Sequence, residues 1–311
     1  MRPNFPNTPE ILAPVGSWEM LLAAVHSGAE SVYLGMPGFN ARGRTKTFTI
    51  EEVKEYIEFA HLYGVKVYLA FNILIFEAEL ETVKNLLLEV LPLKPDALIV
   101  QDIGLIRLIK SIAPEQVIHA STQMTVTSVD AIKLTEDLNL KRYVLARELA
   151  LKEIEIIRQG TPKELEIFVH GALCVSYSGQ CLTSESQGGR SANRGQCAQS
   201  CRLPYELIVD GKKVELENKR YLLSPKDLCS IADIDHIINL GIDSLKIEGR
   251  LKSPEYVAAS VTHYKAALSS TINKQIEFDE SNAVAELESL YSRGFFNGSH
   301  FSPNSTHTEL G

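Results

Sequence analysis

The sequence has neither an excess of positive charge nor a long apolar run. Its 31 lysines and arginines are outnumbered by 39 aspartates and glutamates, giving a net charge of −8. This balance argues against a generally basic nucleic-acid-binding protein, although it leaves room for a local basic surface. No apolar stretch approaches the roughly 18 residues that a membrane span requires, and the opening MRPNFPNTPE lacks the apolar core of a signal peptide. We therefore expect a cytoplasmic protein that does not enter a membrane.

Three sequence motifs, one for dinucleotide binding and two for hydrolytic catalysis, are also missing. No G-x-G-x-x-G follows the first predicted strand, which argues against a dinucleotide-binding fold. No H-E-x-x-H is present for zinc peptidase chemistry, and no G-x-S-x-G for a nucleophile elbow. A function must therefore be sought in other features of the chain.

What the chain does contain is a regular alternation of short apolar runs and amphipathic segments. The runs are apolar throughout, which is typical of parallel strands covered on both faces. Eight of them predict an α/β fold of the (β/α)8 barrel type, with a doubly wound sheet as the alternative. The predicted strands cover residues 11–15, 31–35, 66–72, 97–102, 117–122, 142–148, 166–171 and 244–249.

Capping and turn signals set the boundaries between these units. Ser17 and Thr49 are placed to begin helices, the latter with a capping box. An Asp-Gly pair within 205–217 predicts a hairpin, and helices are expected over 128–137 and 227–240. We assign residues 1–270 to the barrel, including a cysteine-rich insertion and hairpin at 172–220. Residues 271–311 are expected to form a C-terminal helix and a flexible tail.

Four of the five cysteines lie in the segment from 170 to 205 that follows the seventh strand, here called the cysteine segment. Cys174, Cys181, Cys197 and Cys201 are separated by six, fifteen and three residues. In a reducing compartment, clustered thiols indicate metal ligands rather than disulfides. Only the last pair has the close spacing typical of zinc sites, so the spacing favours a [4Fe–4S] cluster, with zinc as the alternative. Cys229 is interpreted as a small buried side chain.

Polar residues stand at the carboxyl ends of the predicted strands, where barrel enzymes place their active sites. His170 is a candidate general acid or base, and a Cys174–His170 nucleophile pair is an alternative. Arginines beside the cysteines and after the second strand suggest a binding site for an anion such as RNA or a carboxylate metabolite. The catalytic candidates are His170, Glu148, Arg147 and Gln123. The substrate-binding candidates are Asn40, Arg42, Asn72, Gln101, Arg190, Arg194, Arg202, Glu248 and Arg250.

Several stretches together resemble the collagenase-like peptidase family U32. They are APVGSWEMLLAAVHSGAESVYLG, EIFVHGALCVSYSGQC, NRGQCAQSCRLPY, LLSPKDLC and SLKIEGRLKSPEYV, and the resemblance covers roughly residues 10 to 268. The motifs HGALC, YSGQC, GRSANRG and CRLPY are most similar to those of the branch of large-subunit rRNA 5-hydroxycytidine synthases.

The resemblance implies oxygen-independent hydroxylation of RNA more than peptide hydrolysis. It implies prephenate as the hydroxyl donor and an iron–sulfur cluster held by Cys174, Cys181, Cys197 and Cys201. The alternatives are a U32-type peptidase and an iron–sulfur subunit of a hydroxylase complex, such as that of anaerobic ubiquinone synthesis. The expected partners are rRNA or tRNA, a small carboxylate metabolite and a related family member in a hetero-oligomer.

Overall fold

The computed structural model describes residues 8–41, 48–217 and 219–296 and shows a closed barrel of eight parallel strands. Each of the first seven strands pairs with the next along the chain. The eighth pairs with both the first and the seventh, which closes the sheet. The barrel strands are β1 (Glu10–Pro14), β2 (Ser31–Gly35), β3 (Lys66–Phe71), β4 (Ala97–Val100), β5 (Ile118–Ala120), β6 (Arg142–Val144), β7 (Glu164–Ala172) and β11 (Ser244–Ile247). The predicted (β/α)8 fold is confirmed, and the doubly wound alternative is wrong because the sheet has no open edge between its first and last strands.

Most helices follow the barrel strands and cover the outside of the sheet, whereas α7 lies in the cysteine segment. Ser17 accepts a hydrogen bond from the Met20 N–H, and Thr49 forms the predicted capping box with Glu52. The helices are α1 (Trp18–His26), α2 (Ile50–Leu62), α3 (Leu80–Val90), α4 (Ile103–Ile112), α5 (Val129–Lys133), α6 (Leu151–Gly160), α7 (Thr183–Gly188), α8 (Ile234–Asn239), α9 (Pro254–Ile272) and α10 (Glu280–Leu290). Within the described ranges, no helix combines the length and apolarity needed to cross a membrane.

Alternate residues of the strands pack on opposite faces of the sheet. In β1, Ile11 and Ala13 join the large core under the helices, whereas Leu12 joins a smaller cluster inside the barrel. The barrel interior near the N-terminal ends of β1 and β6 is charged. There the Arg142 guanidinium contacts the carboxylates of Glu10 and Glu166. A buried charge of this kind is tolerable only when it is paired, and here each guanidinium and carboxylate has a partner.

The predicted helix over 227–240 is wrong at its beginning. Asp227–Cys229 forms strand β10, which pairs antiparallel with the end of β7. β7 runs beyond its partner β6 and presents a free edge, so that strand pairing outweighs the local capping signal. Helix α8 begins only at Ile234. Cys229 is buried, as expected of a small apolar side chain, although on a strand rather than a helix.

The predicted helix over 128–137 is shorter than expected. Ser128 caps α5 as predicted, but α5 ends at Lys133 and a 3-10 turn covers Glu136–Leu138. Asn139 then takes a left-handed conformation with φ 49°. The helix therefore ends earlier than the hydrophobic periodicity indicated, whereas β6 begins at Arg142 as predicted.

The insertion after β7 contains the cysteine segment and a hairpin of β8 (Leu207–Val209) and β9 (Lys212–Val214), which confirms the Asp-Gly turn. Beyond the barrel, α10 packs its buried Ala283 and Leu287 against the core. Strand β12 (Phe295–Phe296) then pairs with β10. The predicted flexible tail falls largely on residues 297–311, which lie outside the described residues.

Candidate functional site

Polar side chains from neighbouring strand ends bond to each other at the barrel mouth. The guanidinium of Arg250, which follows β11, donates to the Asn40 Oδ1 at 3.3 Å. Asn72, which follows β3, accepts from the Ala41 N–H at 3.0 Å and donates to the Ser121 hydroxyl at 3.5 Å. The topology thus brings together side chains that the sequence placed only by strand position.

Two adjoining cavities open at this end of the barrel. The smaller, of about 50 Å³, lies directly over the strand ends. The larger, of about 490 Å³, lies between the cysteine segment and helices α9 and α10. Arg147 and Glu248 line both cavities and so connect them. The small cavity also brings together three other predicted site residues, Asn72, Gln123 and Arg250.

The cysteine segment covers the mouth and is fixed to the loops after β5 and β6. The N–H and hydroxyl of Ser178 donate to the Glu148 carboxylate at 3.0 and 2.8 Å. The Ser178 carbonyl accepts from the Thr125 hydroxyl at 2.6 Å. Gly179, with φ +75°, lies so close to Gln123 that a Cβ would stand 2.2 Å from the Gln123 carbonyl oxygen. Only glycine fits this contact without strain.

The other side of the cysteine segment is fixed to the loop after β3. The guanidinium of Arg194 makes a bidentate ion pair with Glu79 and also donates to the Leu74 carbonyl. It stacks 4.4 Å from the Phe76 ring centroid. The side-chain hydrogen bond from Arg194 lowers the pKa of Glu79. Gln101, at the end of β4, is buried beneath this part, where its amide group donates to the Gln123 carbonyl at 3.1 Å and accepts from the Leu74 N–H at 3.0 Å.

The four thiols of the segment are free and lie close enough to affect each other. Cys174, Cys197 and Cys201 line the larger cavity. Burial raises the pKa of Cys201, and the neighbouring thiols of Cys174, Cys197 and Cys181 raise it further. Burial also raises the pKa of Cys181, but hydrogen bonds from Ser176 and from the N–H groups beyond it outweigh this effect and leave that pKa below its ordinary value.

Four thiols form a donor set that suits either a [4Fe–4S] cluster or a zinc ion. In the part of the chain that the structure describes, no three Cys, His, Asp or Glu side chains converge closely enough to hold one metal ion. Zinc bonds of ~2.3 Å require the sulfurs to lie within about 4 Å of each other. An iron–sulfur cluster is larger, so its ligands stand further apart. The Gln199 N–H donates to the Cys197 sulfur at 3.4 Å, a bond of the kind that tunes such clusters.

The predicted anion-binding arginines have different surroundings. Arg147 stacks 3.7 Å from the Phe168 ring centroid and donates to the Ala172 carbonyl at 2.7 Å. Arg202 donates to two backbone carbonyls and one hydroxyl, which fixes the end of the cysteine segment. Arg190 makes no side-chain hydrogen bond or ion pair within residues 8–41, 48–217 and 219–296. Arg42 lies outside the described residues.

His170 does not join the other candidates at the mouth. Its ring is 1% exposed and lies among the rings of Tyr256, Tyr264 and Phe295. Both ring nitrogens lack a hydrogen-bond partner among the described residues, so no pair with Cys174 is formed. Burial, helped by the charge of Lys252, lowers the pKa of His170 to about 3.

Sequence reasoning missed three residues of the larger cavity: Lys252, Tyr291 and Arg293. Lys252 lies within the conspicuous run SLKIEGRLKSPEYV, which was a usable signal. Tyr291 and Arg293 gave none, because they come from the segment after the barrel. The segment that carries both residues is fixed by an ion pair between the Arg293 guanidinium and the buried carboxylate of Asp227 at 2.8 Å.

Comparisons with known proteins identify relatives along nearly the whole chain. The family described as Peptidase family U32 matches residues 16–309. The chain is 41% identical over 292 residues to the 23S rRNA 5-hydroxycytidine C2501 synthase of Escherichia coli, covering 92% of this chain and 44% of that protein. It is 39% identical to the tRNA hydroxylation protein P1 of Bacillus subtilis, covering 84% of this chain and 63% of that protein. The chain thus spans about half the length of these two relatives.

Two further matches bear on the family name. A Porphyromonas gingivalis protein named Collagenase is 34% identical, covering 93% of this chain and 72% of that protein. The solved structure of the U32 peptidase Mk0906 superposes with a TM-score of 0.50 at 16% identity, covering 80% of this chain and 97% of that chain. At this identity the superposition supports the fold alone.

Proposed function

This chain belongs to peptidase family U32, and from that premise we propose that it acts in the hydroxylation of RNA. The first candidate substrate is a cytidine of rRNA, and the second is a tRNA pyrimidine. The observation that carries the proposal is that three thiols, Arg147 and Glu248 line one cavity at the barrel mouth. The names of relatives that are 41% and 39% identical support RNA as the substrate. An RNA substrate would place the protein in the cytoplasm.

We propose that Cys174, Cys181, Cys197 and Cys201 hold a [4Fe–4S] cluster. Such a cluster would supply one-electron chemistry that does not depend on molecular oxygen. The chain's own part would be to hold the thiols together through the anchored cysteine segment, from which Cys174, Cys197 and Cys201 line the cavity. Burial raises the pKa of Cys201, and the positive charge of Arg202 beside it offsets part of this effect in favour of the thiolate form that metal binding requires.

The hydroxyl donor is proposed to be prephenate, which carries two carboxylates. The positively charged side chains at the mouth would neutralise these carboxylates and orient the donor toward the thiols. Arg147 and Gln123 reach the small cavity over the strand ends, so they are the proposed contacts for the reacting base. Glu148 and Arg194 are proposed to act indirectly, because both hold the cysteine segment in place.

The decisive experiment combines metal analysis with nucleoside mass spectrometry. Protein purified without air is expected to contain iron and sulfide, and Cys181→Ser to lose most of both. The matched control is Cys229→Ser, which changes a buried thiol outside the cysteine segment and should retain the iron. Cells lacking the protein should lose a hydroxylated pyrimidine that the wild-type chain restores and Cys181→Ser does not. Stoichiometric zinc without iron, or unchanged nucleosides, would contradict the proposal.

A peptidase is the second candidate, favoured by the relative named Collagenase. In that case Cys174 would be the nucleophile, and its loss alone should abolish peptide cleavage while Cys181→Ser retains it. The burial of His170 disfavours this candidate because that imidazole is not positioned to activate the Cys174 thiol. Assays of gelatin and collagen-like peptides with both variants separate the two functions. The chain could also serve as the iron–sulfur subunit of a larger hydroxylase with a related family member, and complementation by the chain alone would contradict that alternative.

A further inference from the structure

The hairpin of β8 and β9 forms a sheet of its own, to which no other strand in the described ranges is paired. Every residue of the hairpin from 206 to 215 is exposed. A two-stranded hairpin in water is only marginally stable, and further strands with an apolar face, or a helix packed against it, usually stabilise it. The hairpin is therefore a surface on which a further strand would be favourable. Its large exposed apolar residues are Leu207, Ile208, Val209 and Val214.

The hairpin is ordered at both of its ends. At the base, the Tyr205 hydroxyl donates to the Ser200 carbonyl at 2.9 Å, and the Tyr205 N–H donates to the Arg220 carbonyl at 2.8 Å. At the tip, Asp210 and Gly211 both take left-handed conformations, with φ of 51° and 74°. Such a turn matches the natural twist of two paired strands. Because the strands are already ordered, little conformational entropy would be lost when another strand pairs with them.

The turn also determines which backbone groups of β9 face outward. Val209 and Lys212 flank the two-residue turn and form a hydrogen-bonded pair, so the next pair, Ile208 and Lys213, is not hydrogen-bonded. The N–H and C=O of Lys213 therefore point away from β8. Those of Glu215 point the same way, because it lies two residues further along. Among the described residues no backbone hydrogen bond reaches this outer edge, which leaves it open to another strand.

The charges along β9 favour one register in which this edge pairs with a second copy of itself. If a two-fold axis passes through Val214 of an antiparallel pair, Lys213 of each copy lies directly opposite Glu215 of the other. An axis at Lys213 or at Glu215 would instead place two like charges opposite each other. Opposite charges directly across a sheet are stabilising and like charges are destabilising. The two Val214 side chains meet at the axis as a non-hydrogen-bonded pair, in which side chains approach most closely.

The Lys213 ammonium group is charged and has room for a further contact. It donates to the Glu206 carboxylate at 2.9 Å within its own hairpin. This hydrogen bond, together with the negative charges of Glu206 and Glu215, raises the pKa of Lys213. An ammonium group has three donors, so the contact with Glu206 leaves donors for a carboxylate of a second copy.

The opposite edge of the hairpin is not complementary to itself. An antiparallel pair of β8 strands with its axis at Ile208 would place Glu206 opposite Asp210, and both are negative. An axis at Leu207 or Val209 would bring no opposite charges together. The charge pattern therefore favours the β9 edge.

We propose that β9 is a self-association surface, on which a second copy of this chain docks by antiparallel pairing of the two β9 edges. The product is a continuous four-stranded sheet. Leu207 and Val214 of both copies form one row on its first face, and the two Lys213–Glu215 ion pairs lie on its second face. The paired strands are short, so the interface is small and the dimer is expected to be weak and reversible. This association is independent of the proposed hydroxylase function.

Sedimentation equilibrium of the full chain over a range of concentrations tests the proposal, with reductant present to exclude disulfides. The wild type should show a monomer–dimer equilibrium. Lys213→Glu and Glu215→Lys each turn two attractive cross-strand pairs into two repulsive ones, so we expect self-association at least about tenfold weaker for either variant. The matched control Lys212→Glu makes the same change of charge one residue away, where it lies opposite Leu216. It should keep the dimerisation constant within about threefold.

Mixing the two variants distinguishes altered pairing from a damaged hairpin. In a mixture of Lys213→Glu and Glu215→Lys, both cross-strand pairs again have opposite signs, so the mixture should dimerise although neither variant does so alone. Hydrogen exchange followed by mass spectrometry should show β9 amides becoming more protected as the wild-type concentration rises. The proposal is overturned if the wild type stays monomeric, if either variant dimerises as the wild type does, or if the mixture stays monomeric. A dimer without added protection at β9 also overturns it, because another surface would then be the interface.

Discussion

Ser178 and Glu148 join the cysteine segment to the barrel through both oxygens of one carboxylate. The Ser178 N–H reaches Oε1 at 3.0 Å, and its hydroxyl reaches Oε2 at 2.8 Å. Ser178 lies between Cys174 and Cys181, so this contact helps to fix where the first two thiols stand. Glu148 is therefore a positioning residue for the segment in the structure, whatever further role it has in chemistry.

Glu148→Ala is expected to loosen the cysteine segment without unfolding the barrel. Loss of the two charged hydrogen bonds should cost about 1.5–3 kcal/mol locally. Thiol labelling of Cys174 and Cys181, followed by mass spectrometry, should become faster, while the overall melting temperature falls only slightly. Glu155→Ala, on the exposed face of α6, is the control. Equal labelling rates in both variants would show that the contact does not restrain the segment.

Gly179→Ala is expected to destabilise the protein far more than Gly211→Ala does. Gly179 and Gly211 have nearly the same backbone conformation, with φ of +75° and +74°, but only Gly179 faces another chain segment. The difference between the two variants isolates the clash of a Cβ with Gln123, because the cost of the left-handed conformation, about 1 kcal/mol, is shared. We expect Gly179→Ala to reduce iron retention and stability and Gly211→Ala to change stability by about 1 kcal/mol. Similar effects of the two variants in denaturant unfolding would refute this packing argument.

Arg194 and Glu79 are expected to be energetically coupled. The pair is half-buried, with side-chain exposures of 19% and 27%. A double-mutant cycle with Arg194→Met and Glu79→Gln should give a coupling energy of about 1–3 kcal/mol in urea unfolding. Binding of RNA should change much less, since the guanidinium is already occupied. The exposed pair Arg107 and Asp137 is the control, with an expected coupling below about 1 kcal/mol.

Titration of His170 should make the free energy of unfolding vary with pH. Its pKa is about 3 in the folded chain and close to the ordinary 6.5 after unfolding, because burial excludes the charged form. Between these two values the unfolded chain binds a proton that the folded chain does not. Stability therefore falls as the pH drops below 6.5, by up to about 1.4 kcal/mol per pH unit.

His170→Phe removes this titration and fills the same aromatic surroundings. We expect it to be as stable as the wild type at pH 7 and about 2 kcal/mol less acid-sensitive between pH 6.5 and pH 5. Urea unfolding at the two pH values measures the difference. The exposed His236→Gln is the control, and some acid sensitivity will remain because His119 is also buried with a lowered pKa. An unchanged pH slope in His170→Phe would refute the assignment.

The barrel could be predicted from the sequence because its signals are local. Apolar runs such as 31–35 and caps such as Thr49 are read from neighbouring residues, and eight repeats of the pattern leave few alternatives. The spacing of the four cysteines likewise indicated shared ligands within one short segment. These inferences depend on contacts over a few residues, which the order of side chains determines.

The roles of single site residues could not be predicted in the same way. Arg194 and Arg202 are predicted to bind an anionic substrate, but in the structure Arg194 pairs with Glu79 and Arg202 donates to backbone carbonyls. Asp227–Cys229 had the sequence of a helix start, yet it completes the free edge of β7. In each case the deciding partner lies far away in the sequence, and it is available only once the barrel has closed.

The sequence by itself determined the eight strand–helix units, their order and the four clustered thiols, because hydrophobic periodicity and residue spacing act along the chain. Only the tertiary structure decided which charges remain available at the mouth. Lys252 has the same formal charge as the arginines around it, but its ammonium group packs against the Tyr291 ring, whereas Arg293 forms an ion pair with Asp227. Pairing between residues that are distant in sequence depends on burial and geometry. For this reason only the folded structure shows which cations hold the fold together.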